Sequence, residues 1–177
     1  REIGSIGRAS LSFVGTYLDE LITDTGIARA GSYDCAGLYG NVCGTPSPTW
    51  RHQARLSFDL PNGMGASVRW RHFGSVTLDA IDSNANLADS SANGPAPGGV
   101  ARPGLARLNA QNYFDLALTW KVGDHYDFRL GANNLLDREP PLTGSQACPA
   151  GICNGNTFAQ VYDALGRYIY AGVKLEF

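Results

Sequence analysis

Four cysteines carry the plainest chemistry in this sequence, because they fall into two close pairs, Cys35 with Cys43 and Cys148 with Cys153, each inside a segment rich in Gly, Pro and Asn. Four cysteines allow three disulfide connectivities, and the spacing favours the local one. Closing two such short loops constrains the unfolded chain by about 2–3 kcal/mol each. Zinc is the competing chemistry for the same thiols. It takes its ligands from tight motifs, whereas the three histidines, His52, His72 and His125, stand apart from the cysteine pairs. Disulfides in turn imply an oxidising compartment, such as a periplasm or a cell exterior.

No catalytic constellation accompanies the cysteines. Ser, His and Asp are scattered without the Gly-x-Ser-x-Gly elbow that exposes a nucleophile. No Gly-rich loop stands ahead of a helix to cradle phosphate, and no His-Glu-x-x-His occurs. Gly4-Ser5-Ile6-Gly7 and the glycines from Gly94 to Gly99 are too loosely patterned to count. The expectation is a protein without enzymatic activity, holding no catalytic, metal or cofactor-binding residues and taking no cofactor.

Composition bounds what remains. Of 177 residues 17% are charged and 44% hydrophobic, with 22 Gly and a net charge of -2. Disorder is excluded by that apolar content. There is no basic excess to neutralise phosphates, so no nucleic acid partner is expected. Only two lysines occur, Lys121 and Lys174, against 11 Asn. Such a surface implies that something other than water contacts part of it. The chain opens on Arg1, which points to a removed leader or a fragment. No run approaches the about 20 apolar residues of a spanning helix; strands, which need only about 9–11 alternating residues, remain open.

Period two organises the chain. Leu11, Phe13 and Tyr17 share one face of a strand against Ser10, Ser12 and Thr16. In Trp50–Asp59 the residues Trp50, Ala54, Leu56 and Phe58 oppose Arg51, Gln53, Arg55, Ser57 and Asp59. A third strand is expected over about Ala66–Leu78, with Val68 and Trp70 opposite Ser67, Arg69 and Arg71. A fourth runs about Asn112–Val122, setting Phe114, Leu116, Leu118 and Trp120 against Tyr113, Asp115, Thr119 and Lys121. Tyr126–Asn133 and Arg167–Phe177 complete the set. Helical periodicity fits these segments less well, and Val, Thr and aromatic enrichment supports strands. The fold class is all-β, an antiparallel up-and-down meander of about six strands.

The connections alternate long (19–49), short (Pro61–Gly65), long (79–111), short (Gly123–His125) and long (134–165). Every second connection of a meander emerges at the same edge, so one side carries tight turns and the other large loops, as in outer-membrane barrels. Both cysteine pairs fall on the large-loop side, and Trp50, Trp70, Trp120, Tyr126 and Phe177 lie near strand ends, where an aromatic girdle would sit. The alternate face holds Arg51, Arg55, Arg69, Arg71, Asp59, Asp115, Asp127 and Arg129, which leaves no place there for a packed core. Six strands cannot close a lumen wide enough for so many arginines, and the bilayer forbids open sheet edges. The chain is therefore expected to be part of something larger.

The tail from Tyr162 to Phe177, with alternate hydrophobics and a final Phe, resembles the closing strand of the TonB-dependent outer-membrane receptors. Phe128 to Pro141, containing Asn133-Asn134-Leu135-Leu136-Asp137-Arg138-Glu139-Pro140-Pro141, resembles their penultimate strand and following motif. Tyr33–Pro46, followed by Trp50-Arg51-His52, is similar to receptors of some Gram-negative proteobacteria. The resemblance implies the last six strands of a 22-stranded transmembrane β-barrel, with the plug domain and earlier strands outside this sequence. It implies a cell outer membrane location and active uptake of a scarce nutrient, such as an iron-siderophore, a cobalamin or an oligosaccharide. The implied partners are the TonB complex, reached through the plug, the barrel assembly machinery, outer-membrane lipid and the small nutrient ligand.

The resemblance makes Ile169, Ala171, Val173, Leu175 and Phe177 an assembly signal, although the same pattern suits ordinary lipid-facing strand residues. Asn133, Asn134, Asp137 and Arg138 read better as turn caps, because Asn and Asp bond their own backbone. The lumen-facing candidates Arg51, Arg55, Arg69, Arg71 and Arg129 either contact a plug or an anionic ligand, or form a cross-strand ladder balanced by Asp59, Asp115 and Asp127. The 79–111 connection reads as a ligand-facing loop or as linker. Two other functions compete: a secreted, disulfide-stapled β-sandwich binding module, and a porin-like barrel closed by self-association.

Overall fold

A computed structural model of the chain describes residues 7–24, 26, 31–83, 85–88, 106–144, 147–148 and 151–176. In chain order its strands are β1 (Arg8–Tyr17), β2 (Ile22–Asp24), β3 (Ser32–Asp34), β4 (Leu38–Tyr39), β5 (Trp50–Asp59), β6 (Met64–Phe73), β7 (Val76–Leu78), β8 (Arg107–Leu108), β9 (Gln111–Val122), β10 (Tyr126–Asn133) and β11 (Tyr168–Leu175). The protein is all-β, and its main sheet has six strands in the order β1-β5-β6-β9-β10-β11. Each pairs antiparallel with its neighbours. Two smaller sheets, β2-β3 and β4-β7-β8, belong to the long connections.

Alternation along each strand makes the two faces chemically different. Leu11, Leu56, Val68, Leu116, Ala132 and Ile169 follow one another in register across all six strands. This aliphatic row has aromatics on both sides. Toward the long connections lie Phe13, Trp70 and Phe114, the last two with ring centroids 6.3 Å apart; toward the tight turns lie Trp120, Phe128 and Tyr126. Most of the face is exposed among the described residues, Leu11 by 74%, Val173 by 56% and Leu130 by 51%, while Ala132 is buried at 8%.

The packed core lies elsewhere, and it corrects the expectation that the polar side is free of one. Tyr39, Val76, Leu108, Tyr113, Phe158 and Tyr162 form a buried cluster. Tyr113 and the partly buried Phe73 project from the polar face of the main sheet, so this core caps that face at the long-connection end. It is built from all three long connections. A strand pattern marks one face as polar along its length, but apolar loop residues folding back onto two aromatic positions can still bury an end of it.

The third strand is also shorter than its expected span to Leu78. It ends at Phe73, and β7 leaves to pair with β4 and β8. At the break Gly74 donates its N–H to the Trp50 carbonyl at 2.9 Å, and a Cβ there would stand 2.8 Å from that oxygen. Only glycine permits so close an exit, after which Val76 enters the cap core.

A buried carboxylate fastens the first long connection to the second. Asp79 is 1% exposed, and its Oδ2 accepts the backbone N–H groups of Val42 at 2.8 Å and Cys43 at 2.9 Å. Gly40 makes room for it, since a Cβ there would lie 2.2 Å from Asp79 Oδ1. Removing the carboxylate orphans two part-buried donors. Asp79→Ala is expected to cost about 2–4 kcal/mol, read as faster proteolytic nicking of 35–44 under non-reducing conditions with the main sheet intact by circular dichroism.

Candidate functional site

The polar face of β6 and β9 holds the densest set of charged contacts. Register places Arg69 opposite Asp115 and Arg71 opposite Tyr113, which brings both guanidinium groups onto one carboxylate. Asp115 Oδ2 accepts Arg69 Nε at 2.7 Å and Arg71 Nε at 2.9 Å. Its Oδ1 accepts Arg71 Nη2 at 3.0 Å and the backbone N–H of Asn134 at 2.9 Å. The other edge of the Arg71 fork reaches Asp163, with Nη1 donating to Oδ1 at 2.9 Å. Arg71 also lies over the Tyr113 ring, 5.1 Å from its centroid. Arg71 thus ties the sheet to the last long connection.

The segment resembling the receptor motif forms the adjoining turn. Asn134 is fully buried and adopts a left-handed φ of 50°, as does Asp137 at 53°; Asn and Asp bear this conformation more readily than other L-residues. Asn134 Nδ2 donates to the Arg138 carbonyl at 2.9 Å, and its Oδ1 accepts the Arg138 N–H at 2.8 Å. Asp137 Oδ1 accepts the Arg167 N–H at 2.8 Å, and Arg138 Nε donates to Gln111 Oε1 at 3.1 Å. In this structure the Asn134 and Asp137 side chains bond backbone, and Arg138 bonds the Gln111 side chain.

Between that turn, the sheet and the 154–166 segment opens a cleft of ≈ 760 Å³, with Arg69, Arg71, Asn133, Asn154, Thr157 and Tyr168 among its walls. Tyr162, which lines the cleft, and Tyr39 belong to the cap core, where burial pushes both hydroxyls above the usual phenol range. Tyr39 shares a hydrogen bond of 3.2 Å with Thr143 Oγ1.

The remaining sequence candidates fall into three groups. Cys35 is disulfide-bonded to Cys43 and Cys148 to Cys153, with Cα separations of 5.5 and 5.3 Å, so no described thiolate is left for a metal. Ile169, Ala171, Val173 and Leu175 lie on the apolar face of β11, opposite Ala132, Leu130, Phe128 and Tyr126. Phe177 lies outside the described residues, as do residues 89–105 of the 79–111 connection.

The arginine ladder is balanced differently from the expected pattern. Asp115 serves Arg69 and Arg71, and Asp127 stands 3.6 Å from an exposed Arg129. Asp59 balances no arginine among the described residues. Arg51 and Arg55 are exposed and likewise make no ion pair among them. Asp163, 92 residues from Arg71, is absent from the sequence reading because no periodicity marks a loop residue. Asn134 was legible only through the motif that contains it. No protein-family model, curated protein or solved structure matches this chain.

Proposed function

We propose that this chain is the C-terminal part of the barrel of a TonB-dependent outer-membrane receptor, a segment of a transporter for a scarce nutrient. One observation carries the reading: an aliphatic row runs in register through all six strands of the main sheet, exposed at Leu11, Leu56, Val68 and Ile169, with aromatics of β1, β6 and β9 on one side of it and of β5, β9 and β10 on the other. Large exposed apolar patches mark partner or membrane surfaces, and an apolar band flanked by aromatic girdles is the outer face of a transmembrane barrel. Strands of 8 to 12 residues bracket the about 9–11 that a tilted strand needs to cross a bilayer.

Under this reading the charged face lines the lumen, the capped long connections face the cell exterior, and the tight turns face the periplasm. Both disulfides then lie on the oxidising outer side. The edges at β1 and β11 pair with further strands of a 22-stranded barrel, the TonB complex acts through a plug, and the β11 residues with Phe177 serve the assembly machinery. A β-sandwich would need a second sheet on the apolar face, whereas the small sheets here belong to the long connections.

Refolding tests the reading. A polypeptide that joins this chain to the remaining strands of the barrel is expected to stay aggregated or unfolded in buffer and to gain a β circular dichroism spectrum, with the strands of this chain protected from protease, on addition of phospholipid vesicles. A monomer with the same spectrum, soluble without lipid or detergent, overturns it.

A further inference from the structure

The charges of the polar face do not balance locally. Across β1, β5, β6 and β9 one row reads Ser12, Arg55, Arg69, Asp115; the next reads Val14, Gln53, Arg71, Tyr113; the third reads Thr16, Arg51, Phe73, Gln111. Four guanidinium groups therefore share one patch on two adjacent strands. Asp115 and Asp163 are the carboxylates that meet them among the described residues, and both are committed to Arg69 and Arg71. The patch keeps two unpaired positive charges in a chain whose net charge is -2. Arg55 stands directly opposite Arg69, and like charges facing across a strand pair are destabilising unless an anion lies between them. Next to them a recess of ≈ 210 Å³ is lined by Arg51, Arg71, Thr16 and Gln53 among others. It combines an unpaired guanidinium with a hydroxyl and an amide, the donors an oxyanion accepts from.

We propose that Arg51 and Arg55, with Arg69 and Arg71 beside them, form a binding strip for a small polyanion bearing carboxylate or phosphate groups. The proposal deepens the transporter reading by naming a ligand class, and rests on it for the placement of the strip inside a lumen. Arg51 and Arg55 suit the task because their forks meet no partner among the described residues, whereas Arg71 has both edges occupied. Bidentate guanidinium–oxyanion contacts are strong and geometrically selective. A recess of this size admits one such head group rather than a folded segment.

The test uses this chain within the polypeptide that carries the remaining barrel strands, refolded in detergent micelles, with citrate and inorganic phosphate as calorimetric probes. At least one probe is expected to bind, more weakly as salt rises, and which one binds separates carboxylate from phosphate as the source. R51Q/R55Q is expected to weaken binding by about tenfold or more, R51K/R55K by less, and Lys121→Gln, at the tight-turn end of the same face, to leave it unchanged. Because Arg51 and Arg55 make no ion pair among the described residues, all variants should keep the wild-type circular dichroism spectrum. Absence of binding by both probes, or binding indifferent to R51Q/R55Q, overturns the proposal. So does occupancy by a polyglutamate peptide but by neither small anion, which would make the occupant a polypeptide. Vesicle insertion of the same samples separates the two claims: insertion without anion binding removes the strip alone, and anion binding by a chain soluble without lipid removes the transporter reading alone.

Discussion

Asp115→Ala is expected to destabilise the folded chain by about 3–5 kcal/mol, the cost of removing one partner of a buried ionic cluster. The carboxylate is 6% exposed and answers two arginines, with side chains 32% and 19% exposed, and the buried N–H of Asn134. Its loss leaves Arg69 without its ion pair, leaves Arg71 held from one side, and frees the turn that begins the last long connection. Two readouts should move together: the denaturant midpoint of the detergent-folded chain, and the rate of nicking within 134–167. Asp127→Ala provides the contrast. Its partner Arg129 is 62% exposed at 3.6 Å, and such a surface pair contributes less than about 1 kcal/mol. A loss of less than about 1 kcal/mol at Asp115 would show that the cap is held by its apolar core alone.

Under the proposed barrel reading, Leu118→Arg in the polypeptide that completes the barrel is expected to lower the free energy of folding into a bilayer by about 2–4 kcal/mol, the cost of a cation on a lipid-facing strand position near the midplane. Leu118 is 40% exposed and sits between the aromatic rows, opposite Ala66 and Leu130. Thr119→Arg, one residue along on the polar face, should cost far less because that side chain stays in water. The pair can be compared in vesicles by urea titration of folding, followed by Trp fluorescence. Equal losses at the two positions would refute a lipid-facing assignment, since neighbouring residues of one strand differ chiefly in which face they meet.

The six long strands were legible because alternation is local: once Leu56 and Phe58 face one way, Arg55 and Ser57 must face the other. The connections were legible in length for the same reason, as interruptions of that period. The cap was not. Tyr39, Val76, Leu108 and Phe158 come from irregular segments where no period relates one residue to the next, and they meet only because three connections rise from one edge of the sheet. Asp163 is illegible for the same reason, and the sequence leaves open whether Asp59 and Asp127 balance Arg51 and Arg55, because sharing a face does not say which charges meet; among the described residues neither carboxylate reaches them.

By itself, then, the sequence determined the strands, their two chemically opposed faces, the sidedness of the connections and the local pairing of cysteines. Each follows from steric and hydrophobic rules acting over a few residues. The tertiary structure decided where the core lies, that β6 ends at Gly74, and which arginines are neutralised and which remain unpaired. Those outcomes depend on contacts between residues tens of positions apart, whose energies fall off within a few ångströms and are therefore set by the packing of the connections rather than by any pattern along the chain.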